Sequence, residues 1–235
     1  NFLPSFMGTH LEKEIKALEG VLNNPNKPVA AIIGGSKVST KIDVINFLLK
    51  KMDIIIIGGA MANTFVAAKG LDVGKSLFEK ECIDLAKELI EKSQNNNCNL
   101  ILPTDFIVSK NLKKNAEYTT ANFDLLPHNM MALDIGPKSI ELINKNINNC
   151  KTILWNGPLG AFETYPFDKG TNKVASHVSS LTKQKKILSV AGGGDTVSAL
   201  NNAKVLNDFS YVSTAGGAFL EWLEGKVLPG IEPIS

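Results

Sequence analysis

Short apolar, β-branched runs recur along the chain at Val29-Ile33, Ile54-Ile57, Leu100-Leu102, Met131-Leu133, Thr152-Trp155, Ile187-Val190 and Tyr211-Val212. Long segments separate them, and several carry helical periodicity. Val38, Ile42, Ile45 and Leu49 repeat at i, i+4, i+7 and i+11, as do Leu11, Ile15, Leu18 and Leu22. Strands alternating with helices predict βαβ crossovers, hence an α/β fold built on a parallel sheet. Runs as continuously apolar as Ile54-Ile57 suit strands covered on both faces. Residues 1–26 stand somewhat apart, as one amphipathic helix closed by the breaker-rich Asn23-Asn24-Pro25-Asn26-Lys27-Pro28. The expected division is therefore a helix and linker over 1–26 and a main domain over 27–235.

Glycine sharpens this picture. Twelve of the 19 glycines follow a strand candidate: Gly34, Gly35, Gly58, Gly59, Gly136, Gly157, Gly160, Gly192, Gly193, Gly194, Gly216 and Gly217. In open α/β sheets, ligands bind outside the carboxyl ends of the strands, where small residues let backbone approach them. One edge of the sheet is thus predicted to be a backbone-lined binding surface, although glycine at ordinary strand-to-helix turns gives a plainer account.

Composition narrows the function classes. With 44% hydrophobic and 20% charged residues and a mean hydropathy of +0.03, the chain reads as a folded protein rather than a disordered one. Its 25 basic and 23 acidic residues leave +2, too little for a nucleic-acid or polybasic membrane surface. All of the basic residues are lysine. With no guanidinium available, anions must be held by lysine, backbone N–H groups or a metal. Cys82, Cys98 and Cys150 fit no metal or disulfide spacing and read as reduced core thiols of a cytosolic protein. The longest apolar run, Ile54 to Ala62, is about half of what a bilayer span requires. The chain opens with Asn1 and no basic signal region, which points to a missing upstream part.

Four motifs carry chemistry. In Gly34-Gly35-Ser36-Lys37-Val38-Ser39-Thr40-Lys41, the two lysines are four apart, which predicts one helical face with two ammonium groups beside a helix N-terminus, a site for phosphates. A solvated lysine face is the alternative. Gly192-Gly193-Gly194-Asp195-Thr196 opens a helix after a strand; its amides suit phosphate oxygens, and Asp195 implies a bridging Mg²⁺ unless it serves only as an N-cap. Trp155-Asn156-Gly157-Pro158-Leu159-Gly160-Ala161-Phe162-Glu163 offers apolar walls for a base and a carboxylate for ribose hydroxyls, or else a packed turn. Ser213-Thr214-Ala215-Gly216-Gly217-Ala218 is a second candidate anion cradle. By contrast, Gly70 to Ser76 has three residues between glycines where a P-loop needs four, and Val197 occupies the third glycine position of a dinucleotide fingerprint.

Taken together, these segments resemble the carboxy-terminal, nucleotide-binding half of the phosphoglycerate kinase family. The resemblance runs through Leu11-Glu12-Lys13-Glu14, GGSKVSTKI at 34–42, IIGGAMANTF at 56–65, GKSLF at 74–78, LPTDF at 102–106, LDIGP at 133–137, ILWNGPLGAFE at 153–163, AGGGDT at 191–196 and VSTAGGAFLEWLEGKVLPG at 212–230. It implies a Rossmann-like, three-layer α/β/α domain with about six parallel strands and an interdomain-type helix before it. Such a domain binds Mg-ATP or Mg-ADP within a monomeric, bilobal cytoplasmic kinase of glycolysis, which exchanges a phosphoryl group between 1,3-bisphosphoglycerate and ADP to give 3-phosphoglycerate and ATP.

Residue by residue, the resemblance implies that Lys37 and Lys41 hold phosphates and neutralise the transferring group. Asp195 would act on Mg²⁺, with Gly193, Gly194 and Thr196 around the β and γ phosphates. Glu163 would hold the ribose, while Gly35, Gly58, Gly59, Leu77, Leu133, Pro158 and Ala161 border adenine and sugar. Ser36, Asn156 and Gly160 join the nucleotide-binding set. The amides of Gly194 and Gly217 would contact the transition state. Ala215 stands where many members have glycine, and the family's amino-terminal lobe, whose arginines bind phosphoglycerate, is absent. Two readings follow: the nucleotide lobe of such a kinase, expected to turn over poorly alone, or a free-standing, non-catalytic nucleotide-binding module. In the first, a helix built to join two lobes should leave the Leu11, Ile15, Leu18, Leu22 stripe exposed.

Overall fold

The computed structural model of the chain describes residues 8–226. In chain order these contain α1 (Thr9–Leu22), β1 (Val29–Ile33), α2 (Ile42–Leu48), β2 (Ile54–Ile57), α3 (Met61–Ala68), α4 (Ile83–Asn95) and β3 (Asn99–Ile101). Then come β4 (Asp105–Ser109), β5 (Thr119–Asn122), β6 (Met131–Ile135), α5 (Pro137–Ile147), β7 (Thr152–Asn156) and α6 (Lys169–Lys183). The last are β8 (Leu188–Ala191), α7 (Gly194–Asn202), β9 (Tyr211–Val212) and α8 (Gly217–Leu223).

Six strands form one sheet in the order β3-β2-β1-β7-β8-β9, every pairing parallel. Period-two alternation splits its apolar side chains between two cores. Ala31, Ile33, Ile55, Ile57, Leu154 and Val190 face one layer, against α1, α2, α3, α4 and α8. Ala30, Ile32, Ile56, Ile153, Trp155 and Ala191 face the other, against α5, α6 and α7. This is the three-layer arrangement expected, and continuous apolar strands are its cause, since both faces are covered. From β1 the chain moves outward through β2 and β3, then returns to β7 on the other side of β1. The crevice above the β1/β7 pair is thus the topological switch point, where α/β sheets bind ligands.

Three expectations are corrected. Met131-Leu133 does not join the parallel sheet: it lies in β6, paired antiparallel with β4 in a second sheet of order β5-β4-β6. The reason is topological, because the connections over 110–118 and 123–130 carry no helix, and parallel pairing demands a long crossover. The α1 stripe is not left exposed either. Ile15, Leu18 and Leu22 are buried with Val21, against β7 and β8. On the same helix, Glu14 Oε2 accepts a hydrogen bond from the Tyr211 hydroxyl of the edge strand β9 at 2.5 Å. Finally, Val38 is fully buried but lies in a turn, and the helix begins only at Ile42.

Cys82, Cys98 and Cys150 are free, buried thiols, and burial, chiefly, pushes Cys98 and Cys150 up to about 11. No helix among the described residues is long and apolar enough to cross a membrane.

A buried carboxylate helps to fasten the small sheet to the large domain. Asp105, at the start of β4, is fully buried and accepts from Ser139 N at 2.7 Å, Ser139 Oγ at 2.7 Å and Lys138 N at 3.1 Å. It thereby caps α5 from another element, next to Pro137 at the first helical turn. Asp105→Ala would strand these donors at about 1–3 kcal/mol each. A net loss of about 3 kcal/mol should lower the unfolding midpoint by roughly 6–12 °C in calorimetry. Lys16→Ala, which removes an exposed i,i+4 ion pair with Glu12, should leave the midpoint unchanged.

Candidate functional site

The carboxyl ends of β1, β2 and β7 meet backbone to backbone. Gly34 N donates to Asn156 O at 2.9 Å, and a Cβ on Gly34 would sit 1.9 Å from the Pro158 carbonyl oxygen. A Cβ on Gly157, whose φ is +105°, would lie 2.1 Å from the Gly34 oxygen. On the next strand, a Cβ on Gly58 would be 2.2 Å from the Leu159 side chain, while Gly59 N donates to Leu159 O at 2.9 Å. The loop after β7 then crosses to the small sheet, where Ala161 N donates to Leu133 O at 2.8 Å. Three strand ends and β6 therefore fix one loop.

Above that loop a cleft of about 340 Å³ opens between the two sheets. It gathers most of the positions singled out in the sequence: Gly35, Ser36 and Gly59 from the β1 and β2 ends, Pro158, Gly160, Ala161 and Glu163 from the loop, Leu77 and Leu133 opposite, and Asp195 at the start of α7. Phe106, Met131 and Leu159 add apolar wall. Glu163 is exposed at the rim. Apolar walls with a few convergent polar groups are what a small-molecule site requires.

The polar end is organised by Asn156. Its Oδ1 accepts from Lys41 Nζ, and its Nδ2 donates to Gly192 O at 2.8 Å, so a single buried amide joins Lys41 to the glycine turn. Burial, the larger effect, pulls the half-buried Lys41 below the ordinary lysine range, and the Asp195 and Glu224 carboxylates oppose it. Asp195 is exposed and sits one residue inside α7, whose N-cap is Gly193 with no side-chain cap bond. The plain N-cap alternative for Asp195 thus fails. Thr196 is buried, and its hydroxyl accepts from Gly157 N at 2.7 Å. Gly194 is open: a Cβ there would meet nothing within 4 Å.

Other positions depart from the sequence geometry. Lys37 and Lys41 do not share a helical face, because residues 37–41 form a turn and Lys41 is only the N-cap of α2. Glu79, far along the chain, pins that turn by accepting from Ser39 N at 3.0 Å and Ser39 Oγ at 2.5 Å. Burial would raise the Glu79 carboxyl, but the Ser39 bonds, the Val38 amide and the Lys37 charge together hold it below the usual range. Lys37 is exposed, outside the cleft wall, and Gly58 is behind the wall, under Leu159. Gly217 is exposed at the start of α8 and does not line the cleft. A separate hollow of about 730 Å³ lies between Gly193-Gly194 and Ser213 to Gly216.

Among the wall residues that sequence reasoning missed are Asn63, Phe106 and Asp134. Asp134 is buried, accepts from Gly170 N at 2.6 Å and Ile135 N at 2.9 Å, and leaves no room for a Cβ at Gly160 or Gly170. Burial holds its carboxyl well above the ordinary carboxylate range; those amides oppose the rise and Asp168 adds to it. The signal available was Gly160 itself, a glycine that spacing alone attributes to a ligand.

Comparison with known proteins bears on this geometry. A family model described as phosphoglycerate kinase matches residues 1–226. The phosphoglycerate kinase of Sinorhizobium fredii is 52% identical over 230 residues, covering 98% of this chain and 58% of its own length. That of Brucella melitensis is 53% identical with the same coverage. The structure of phosphoglycerate kinase from Coxiella burnetii superposes with a TM-score of 0.92 at 44% identity, over 97% of this chain and 57% of that one. The enzyme from Pyrococcus horikoshii gives 0.82 at 26% identity. The chain thus spans somewhat more than half the length of the relatives it matches.

Glycines packed against neighbouring atoms and glycines with open space around them should separate on substitution. Gly58→Ala and Gly160→Ala force a methyl into Leu159 and Asp134, and each should cost about 2 kcal/mol or more in denaturant unfolding. Gly194→Ala has open space and should leave stability within about 0.5 kcal/mol of the parent.

Proposed function

Because the chain belongs to the phosphoglycerate kinase family, we propose that it is the nucleotide lobe of such a kinase and binds Mg-ADP or Mg-ATP in the cleft at the β1/β7 switch point. The observation that supports this most is the run from an apolar cleft to a cationic, glycine-rich end: Leu77, Leu133 and Pro158 beside Gly35 and Gly59, with Asp195 and the Lys41–Asn156 pair beyond. In this reading the base lies between the apolar walls and Glu163 accepts from the ribose. The phosphates lie along the start of α7, where Gly193 and Gly194 amides and the helix dipole favour anions. Lys41 supplies charge there, and Lys37 reaches in from the neighbouring turn.

Residues present fit a bound Mg²⁺. Among the described residues, Asp195 is an exposed carboxylate with no ion pair or hydrogen bond, and no group of three or more His, Cys, Asp or Glu is placed to hold a metal by itself. That is the donor set of an ion shared between one carboxylate and phosphate oxygens. When bound, it neutralises phosphate charge.

The reaction proposed for the whole protein moves a phosphoryl group from the acyl phosphate of 1,3-bisphosphoglycerate to a β-phosphate oxygen of ADP. The acyl P–O bond breaks, its electron pair leaves with the carboxylate of 3-phosphoglycerate, and a new P–O bond gives ATP. No general base is needed, so positioning and charge neutralisation carry the chemistry. The Gly194 and Gly217 amides are the proposed contacts to the transferring group. Phosphoglycerate would be held by the part of the relatives this chain does not span, and a cytoplasmic, monomeric enzyme is the expected setting.

Thermal unfolding tests the nucleotide reading. ADP at a hundredfold excess over Kd adds about 2.7 kcal/mol, or roughly 5–11 °C for a chain of this size. The shift should grow with Mg²⁺ and lose that increment in Asp195→Ala. No shift with any adenine nucleotide would sink the proposal. Turnover should be little or none for the chain alone, and should return in a phosphoryl-transfer assay when an amino-terminal lobe from a relative is added; failure of that complementation favours the non-catalytic module.

A further inference from the structure

Asn63 stands out in the apolar half of the cleft. It lies on α3, is 1% exposed, and lines the cleft among Leu77, Phe106 and Leu133. Its Nδ2 donates to the Leu77 carbonyl at 3.0 Å, which fixes the orientation of the amide, because only the nitrogen can serve that acceptor. The other end, Oδ1, is buried with no hydrogen-bond partner. A lone buried acceptor destabilises the protein until a donor reaches it.

Several of the other polar groups of the wall are already engaged. The backbone N–H groups of Gly59, Ala132 and Ala161 are already given to Leu159 O, Ser76 Oγ and Leu133 O. Asp134 is turned to the Ile135 and Gly170 amides. The polar groups Ser36, Glu163 and Asp195 are exposed, toward the rim. The apolar part of the cleft therefore presents a buried acceptor, Asn63 Oδ1, that lacks a hydrogen-bond donor. Resting on the nucleotide reading above, we propose that Asn63 is a specificity-determining residue whose Oδ1 accepts from the 6-amino group of adenine, so that the site prefers 6-aminopurine over 6-oxopurine nucleotides. A 6-oxo group would set an acceptor against that acceptor.

The test uses calorimetric titration of the chain with ADP, IDP and purine riboside 5′-diphosphate, which carries neither amino nor oxo group, all with Mg²⁺. The parent should bind ADP at least about tenfold tighter than IDP, with purine riboside diphosphate between them. Asn63→Leu, similar in size and without the amide, should weaken ADP and bring the ADP/IDP ratio to within about twofold. Equal weakening of all three ligands would mark Asn63 as merely structural and overturn the proposal. If Asn63→Leu does not fold, the three ligands on the parent decide: equal affinities overturn it. ADP binding that Mg²⁺ enhances through Asp195, without base preference, removes only the role of Asn63; no ADP binding at all removes the nucleotide reading with it.

Discussion

Everything in the cleft rests on the contact between Gly34 and the Gly157-Pro158 backbone. Two neighbouring parallel strands normally diverge into separate connections, each with side chains that keep the next segment at a distance. Here the β1 and β7 ends lie so close that a Cβ on Gly34 would fall 1.9 Å from the Pro158 oxygen and one on Gly157 2.1 Å from the Gly34 oxygen. The loop after β7 can then lie flat across the strand ends and hand its Leu159 and Ala161 backbone groups to β2 and β6. Without that approach the loop would lift, and the wall formed by Pro158 to Glu163 would have no floor. The cost is conformational, since glycine loses the most freedom on folding.

The same contact couples packing to charge. Asn156 is the last residue of β7, and its position follows from β1/β7 register, in which Ile33 pairs with Asn156. Its amide can reach both Lys41 and Gly192 only because β8 lies on the other side of β7. Lys41 is partly withdrawn from water, which disfavours its charge. The Asp195 and Glu224 carboxylates oppose that penalty, and the Asn156 oxygen accepts a hydrogen bond from the ammonium.

How far the sequence reveals this depends on whether the deciding contact is local. The central parallel strands are legible because burial on both faces leaves continuous apolar runs such as Ile54–Ile57. The second sheet is not: Thr119–Asn122 is polar and mostly exposed, and is a strand only because Asp105–Ser109 pairs with it. The four-residue spacing of Lys37 and Lys41 reads equally as helix or turn, and Glu79, forty residues beyond Ser39, selects the turn. The α1 stripe announces an apolar face without saying what covers it. Likewise the glycine-rich motifs locate the cleft, whereas Asn63 looks like an ordinary polar residue in a short helix until Leu77 takes its nitrogen.

The lack of arginine makes the division of labour at the polar end unusually clear. A guanidinium would supply charge and a planar, bidentate geometry together. Lysine supplies only a point charge on a flexible stem, so geometry has to come from elsewhere, and the rigid donors available are backbone amides. Gly193 holds φ at +93° to start α7, and Gly194 leaves its side of the turn unobstructed. Direction is thus fixed by backbone that cannot titrate or swing, while Lys41 is held by a neutral amide oxygen rather than by a tight ion pair. A neutral acceptor competes only weakly for an ammonium, so in the proposed reading Lys41 stays available to phosphates.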